Sequence, residues 1–158
     1  MYQQGDKIVY PQYGAGIISA LELKEVDGAM QTYYVLNIPV GNLIIRISAA
    51  KAEHLRVRLI HEQCDIVDIM RSVLDCTISM DDNWNQRYKD NMERIKTGEL
   101  KAVSGVFYGL LLREKERGLS TAEKKVMTTA KQIILSELIL SLDIEKSDAE
   151  AILDTTFR

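Results

Sequence analysis

Tyr33-Tyr34-Val35-Leu36-Asn37-Ile38-Pro39-Val40-Gly41-Asn42-Leu43-Ile44-Ile45-Arg46-Ile47 reads as two β-strands folded about a tight turn. β-branched and aromatic side chains, which pack well on a pleated surface, fill both arms. Gly41-Asn42 tolerates the positive φ that a two-residue hairpin turn requires. Pro39 has no amide proton, so the first arm must end at a sheet edge or past its last ladder bond. Working back toward the N-terminus, Gly16–Leu23 and Lys7–Tyr10 continue the pattern, with Asp27-Gly28 as a second hairpin turn. Working forward, His54–Val57 reads as a fifth strand. Five short strands within about 55 residues bury an apolar face by curling into a small barrel, of SH3-like or Tudor-like size.

Beyond residue 58 the apolar period lengthens from two to that of a helix. Ile60 to Leu74 predicts a first helix, with Ile66, Ile69, Met70 and Val73 on one side. Asp81 to Lys96 predicts a second, stopped by Gly98, and Glu99 to Arg117 a third, stopped by Gly118. Ser120-Thr-Ala-Glu123 is a capping box opening a fourth helix whose inner face is Val126, Met127, Ala130, Ile133, Ile134 and Leu138. Ser147-Asp-Ala-Glu150 repeats the box before a short fifth helix. Gly105 and Gly109, mid-helix, predict a close approach of neighbouring helices. The fold class is α+β: an N-terminal Tudor-like or SH3-like barrel, residues 1–58, followed by an all-α domain, residues 59–158.

The 158 residues are 46% apolar and 27% charged, too apolar for intrinsic disorder. No apolar run reaches 18 residues, and Met1-Tyr-Gln-Gln-Gly-Asp6 lacks the progression of a secretory signal, so a cytoplasmic protein with no membrane partner is expected. Cys64 and Cys76 read as reduced thiols buried as small apolar residues. His54 and His61 have no companion at a metal-ligand spacing, so neither metal nor cofactor is expected. Gly14-Ala-Gly16 lacks the third glycine and following helix of a dinucleotide site, and no nucleophile or phosphate-loop motif is present. The sequence therefore predicts neither an enzyme nor a small-molecule substrate.

The net charge of −3 conceals segregation. Residues 59–83 carry one base against six acids, residues 84–131 eleven bases against six acids, and residues 132–158 two against six. The central +5 block reads either as solvated helix faces or as an electropositive patch able to meet phosphate. Trp84, the only tryptophan, lies inside it. With Tyr88, Met92 and Ile95 it forms a stripe that would place the indole in the helical core. Beside Arg87 and Lys89 at a helix start, it could instead be an exposed wedge against a base step.

Gly5-Asp6-Lys-Ile-Val9-Tyr10-Pro11-Gln-Tyr13-Gly14-Ala-Gly16 resembles the opening of the CarD/CdnL family of bacterial transcription regulators, whose N-terminal module is shared with transcription-repair coupling factor. Asn83-Trp84-Asn-Gln-Arg87-Tyr88-Lys89-Asp-Asn91-Met-Glu93-Arg-Ile-Lys-Thr-Gly98 and Arg117-Gly118-Leu119-Ser120-Thr-Ala-Glu123-Lys124 resemble its helical signature. The resemblance implies a Tudor-like module that binds the RNA polymerase β subunit and a helical module that contacts promoter DNA at the upstream edge of the bubble, stabilising the open complex. It implies that Lys24 and Arg46 contact polymerase, that Trp84 is a minor-groove wedge, and that Arg87 and Lys89 grip DNA beside it. Tyr13 stands where the family often has His, and Gln86 where some members have Arg. A protein-protein adaptor with Trp84 in its core is the rival reading.

Overall fold

The computed structural model describes residues 1–76 and 78–158. Five antiparallel strands, β1 (Lys7–Tyr10), β2 (Gly14–Val26), β3 (Ala29–Ile38), β4 (Leu43–Ser48) and β5 (Arg58–Leu59), form one sheet in the order β4-β3-β2-β1-β5. Asp27-Gly28 and Gly41-Asn42 both adopt positive φ at the hairpin turns, and β3 stops at Ile38, just before Pro39. Alternation sends Tyr34, Leu36, Ile38 and Ile47 to one face, where they bury a core with Ile8, Ile18 and Ala52.

His54–Val57 is not a strand. Leu55, Arg56 and Val57 donate their amides to Lys51, Glu53 and Ala52, so local turns satisfy this backbone, and Arg56 takes φ 60°, which no ladder accommodates. The strand that pairs with β1 comes after it, Val9 opposite Arg58. Ile60 to Gln63 is not helical either. The Ile60 amide donates to Lys7 O, the His61 amide to Glu137 and the His61 carbonyl accepts from Ser141, so tertiary partners replace intrahelical ones.

The helices are α1 (Ile66–Arg71), continued by a 3₁₀ turn over Ser72–Asp75, α2 (Trp84–Lys96), α3 (Leu100–Arg117), α4 (Thr121–Leu142) and α5 (Lys146–Thr156). Their shared core contains Ile66, Met70, Ile95, Val103, Leu110, Ile134 and Leu138. Ser120 caps α4, its hydroxyl accepting from the Glu123 amide at 3.2 Å. The second box is unused: α5 begins at Lys146 with no side-chain cap, which puts Ser147 inside the first turn. Gly105 faces open space, whereas a Cβ at Gly109 would collide with Met80 and Ile78, so that glycine admits the extended segment before α2 rather than a helix. Cys64 and Cys76 are both exposed, against the expectation of burial.

The two modules meet along a polar seam. Arg58 grips Glu137 with two hydrogen bonds, Nη2 to Oε1 at 2.8 Å and Nη1 to Oε2 at 3.0 Å, and its Nε donates to Gly98 O at 3.0 Å. The Ala15 amide donates to Ser136 Oγ at 2.8 Å and Lys7 Nζ to Leu140 O at 3.1 Å. Val9, Ala15 and Leu140 add a small apolar cluster. Gly98 joins this seam with φ 72°, and a Cβ on it would stand 2.7 Å from Pro11 Cγ. Gly98→Ala is therefore expected to lose at least about 1–2 kcal/mol from left-handed strain alone, checked by urea denaturation. A loss within error would mean that the backbone there relaxes freely.

Candidate functional site

Trp84 opens α2. The Asn83 side chain accepts hydrogen bonds from the Asn85 amide at 3.0 Å and the Gln86 amide at 3.3 Å, fixing the helix start where the indole emerges. The apolar stripe predicted for this helix grades outward: Ile95 is fully buried, Met92 partly so, Tyr88 borders on exposure and Trp84 is 53% exposed. The indole is thus not a core residue: it borders an open hollow at the end of α3 and the start of α4 instead of being enclosed by them, and its aromatic neighbour is Tyr88. That ring meets Trp84 edge-on at 6.4 Å.

Arg87 is placed otherwise than expected. Its side chain is buried and paired with Glu123 through Nε and Oε1, while its Nη1 donates to the carbonyls of Asp81 and Asp82 at 2.9 and 3.1 Å. A guanidinium committed to one carboxylate and two carbonyls has no free face for phosphate, so Arg87 holds the segment leading into Trp84 against the start of α4. Burial pushes the Glu123 carboxyl up, but the hydrogen bond and charge of Arg87, with a backbone hydrogen bond from Ser120, outweigh it and hold the group below the usual carboxylate range. The sequence marked Glu123 as a capping residue; its second partner, 36 positions away, left no local signal. Lys89 is exposed on the other side of α2, lining an open hollow with Asn85, Gln86 and Lys96. Gln86 itself donates to Asp90 at 2.8 Å.

Lys24 and Arg46 come together at the far module. Glu22 lies opposite Tyr33, and Arg46 opposite Val35, so Glu22, Lys24, Tyr33 and Arg46 share the outer face of the sheet. Arg46 Nε donates to Glu22 Oε2 at 2.9 Å and its Nη2 to Oε1 at 3.4 Å, reaching across β3. This hydrogen-bonded guanidinium lowers the Glu22 carboxyl. Lys24 Nζ lies 5.6 Å from the Tyr33 ring centroid. β4, which carries Arg46, is an edge strand with one unpaired side. The resemblance singled out the two cations but not Glu22 and Tyr33, which acquire meaning only through strand register.

Among the described residues no group of His, Cys, Asp and Glu could hold a metal ion, and no helix is long and apolar enough to cross a membrane. Residues 2–59 match the CarD-like/TRCF RID domain and residues 66–154 the CarD C-terminal domain. The chain is 36% identical over 138 residues to "Putative transcription factor YdeB" of Bacillus subtilis (strain 168), spanning 87% of this chain and 90% of that protein. Both domain models occur in order on one chain and together cover most of it, and the protein therefore belongs to the CarD family of transcription regulators.

Proposed function

We propose that this regulator docks on the RNA polymerase β subunit through its Tudor-like module and presses Trp84 into the minor groove of promoter DNA at the upstream edge of the bubble, prolonging the open complex. The observation that carries this reading is an exposed indole on a rigid base: Trp84 projects from a capped helix start that the buried Arg87–Glu123 pair ties to α4. An apolar wedge needs both features, because unstacking a base step costs a few kcal/mol that a loosely held side chain would not recover. The adaptor alternative required Trp84 in the core, and the indole's exposure removes its premise. The protein acts in the cytoplasm, brought to the nucleoid by polymerase.

A net charge of −3 makes free DNA a poor target, since neutralising phosphate dominates nonspecific affinity. Docking on polymerase supplies the missing affinity by raising the local concentration of DNA at Trp84. The unpaired side of β4 offers main-chain hydrogen bonds to a partner strand, with Arg46 on that strand and Lys24 further in on the same sheet face for acidic contacts. Arg46→Glu is expected to weaken capture of the β subunit, because it reverses the charge and repels Glu22 on the same face. Capture equal to wild type at physiological salt would remove Arg46 from the interface.

Trp84→Ala tests the whole reading. Folding stability should move by no more than about 0.5 kcal/mol, as for an exposed residue, while β-subunit capture stays intact. Open-complex lifetime should fall about five- to hundredfold, the equivalent of about 1–3 kcal/mol of lost stacking on a base. A variant that captures polymerase and still extends the lifetime fully would defeat the wedge.

A further inference from the structure

The two sides of Trp84 differ. Lys89 lies on one side, and on the other an open cavity of about 620 Å³ is bounded by the indole, the end of α3 and the start of α4. Arg113 and Arg117, one helical turn apart on α3, both line it. Arg87 and Glu123 line it too, but their charges are spent on each other, and Arg113 adds a weaker attraction to the same carboxylate while leaving its Nε free. Arg117 is exposed and forms no ion pair or side-chain hydrogen bond among the described residues, and the Arg113 Nε is buried with no acceptor. A buried guanidinium N–H without a partner is a donor that solvent or a ligand must satisfy. Thr121 and Ala122 border the same cavity with first-turn amides that have no intrahelical acceptor.

We infer that this cavity is a phosphodiester site: Arg117, with Arg113 behind it, takes a backbone phosphate of the DNA strand on that side of the indole, the role that the family resemblance implied for Arg87. The inference rests on the proposed docking of Trp84 on DNA and deepens it. A duplex presents two backbones to a minor-groove wedge, and the surface beside Trp84 offers cations on both sides, Lys89 for one strand and the arginine pair for the other. Guanidinium suits the task because its planar fork matches two phosphate oxygens at once. Arg117 also lies in the last turn of α3, where a cation favours the helix dipole, but Lys115 occupies the same turn and does not line the cavity. Lys115 is therefore the internal control.

The test uses the full chain with cognate polymerase holoenzyme and a promoter fragment, measuring the protein's affinity for the complex across a potassium chloride series. Removing one cation–phosphate pair should flatten the dependence of log affinity on log salt by about 0.9. Arg117→Gln is expected to flatten it by about that amount and Arg113→Gln to lower affinity in the same direction, while Arg117→Lys largely keeps the slope and Lys115→Gln leaves it unchanged. An Arg117→Gln slope equal to that of Lys115→Gln would overturn the site. Arg117 is exposed, so the variant is expected to fold, and a thermal melt confirms it. Trp84→Ala in the same series separates the two ideas. Loss of lifetime in Trp84→Ala with an unaltered Arg117→Gln slope overturns the phosphate site alone, whereas a flattened Arg117→Gln slope with an unimpaired Trp84→Ala overturns the wedge and retains the site.

Discussion

Arg87→Ala is expected to destabilise the protein by about 3–5 kcal/mol, the cost of leaving a buried carboxylate without its partner. Both side chains of the Arg87–Glu123 pair are almost fully buried, so neither charge recovers hydration when the other is removed. The same substitution releases the carbonyls of Asp81 and Asp82, loosening the approach to Trp84. Urea denaturation at pH 7 measures the loss, and a value below about 1 kcal/mol would mean that water reaches the pair.

The pH dependence adds a second check with a defined sign. In the native protein the Glu123 carboxyl is held below its ordinary value of 4.5. Its ionisation contributes stability that is present above about pH 4.5 and is lost as the pH falls through the lower folded value. In Arg87→Ala burial of the carboxyl is opposed only by the Ser120 hydrogen bond and the Arg113 charge, so its folded value should rise. The stability that its ionisation contributes in the wild type is reduced or lost, so the cost of the substitution grows as pH rises. The gap between wild type and variant should therefore be widest near neutrality and shrink in acid. Glu123→Gln, which strands the always-charged Arg87 instead, should show no such acid relief. A gap that stays constant with pH in Arg87→Ala would contradict the assignment of the cost to Glu123.

Arg58→Ala is expected to cost about 3 kcal/mol, toward the low end of that range. Glu137 is fully buried and loses both guanidinium bonds, but it keeps the His61 amide at 2.9 Å, and Arg58 itself is only partly buried. The consequence is more than a loss of stability. Arg58 ties β5 to Gly98 and Glu137, so it joins the barrel to the end of α2 and to α4 at once. Removing it should uncouple the modules, so that the single unfolding transition expected of wild type divides into separate barrel and helix transitions. Amide exchange at Leu36 and Ile134, one buried residue in each core, measures that separation. Equal protection at both positions in Arg58→Ala, with a loss under about 1 kcal/mol, would show that the apolar cluster around Leu140 suffices to hold the seam.

α4 explains why the seam bears on function. Its 22 residues span about 33 Å, with Glu123 at the Trp84 end and Glu137 toward the barrel end. One helix therefore connects the seam with the barrel to the base of the indole. A tethered contact of modest strength gains from such rigidity, since less freedom is lost on docking.

The sequence by itself determined the elements whose signals are local. Asp27-Gly28 and Gly41-Asn42 specify hairpins because positive φ at two successive positions suits little else, and their flanking strands follow by alternation. Ser120 caps α4 because a hydroxyl and an amide three residues apart meet without help from elsewhere. The two motif regions, read together, also identified the family. Tertiary structure decided everything that depended on a distant partner. Ile60 to Gln63 did not become helical because backbone groups there found partners in Lys7, Glu137 and Ser141 that no window of neighbouring residues reveals, and the strand pairing with β1 fell to Arg58–Leu59, leaving His54–Val57 in local turns. Trp84 is exposed although its spacing matches a core stripe, since periodicity names a helix face but not where the neighbouring helices end. Arg87 was withdrawn from the surface by Glu123, and Arg58 was engaged by Glu137, 79 residues away. Charge and spacing are properties of the chain, but whether a cation is free to meet a phosphate depends on which carboxylate the fold has already placed beside it.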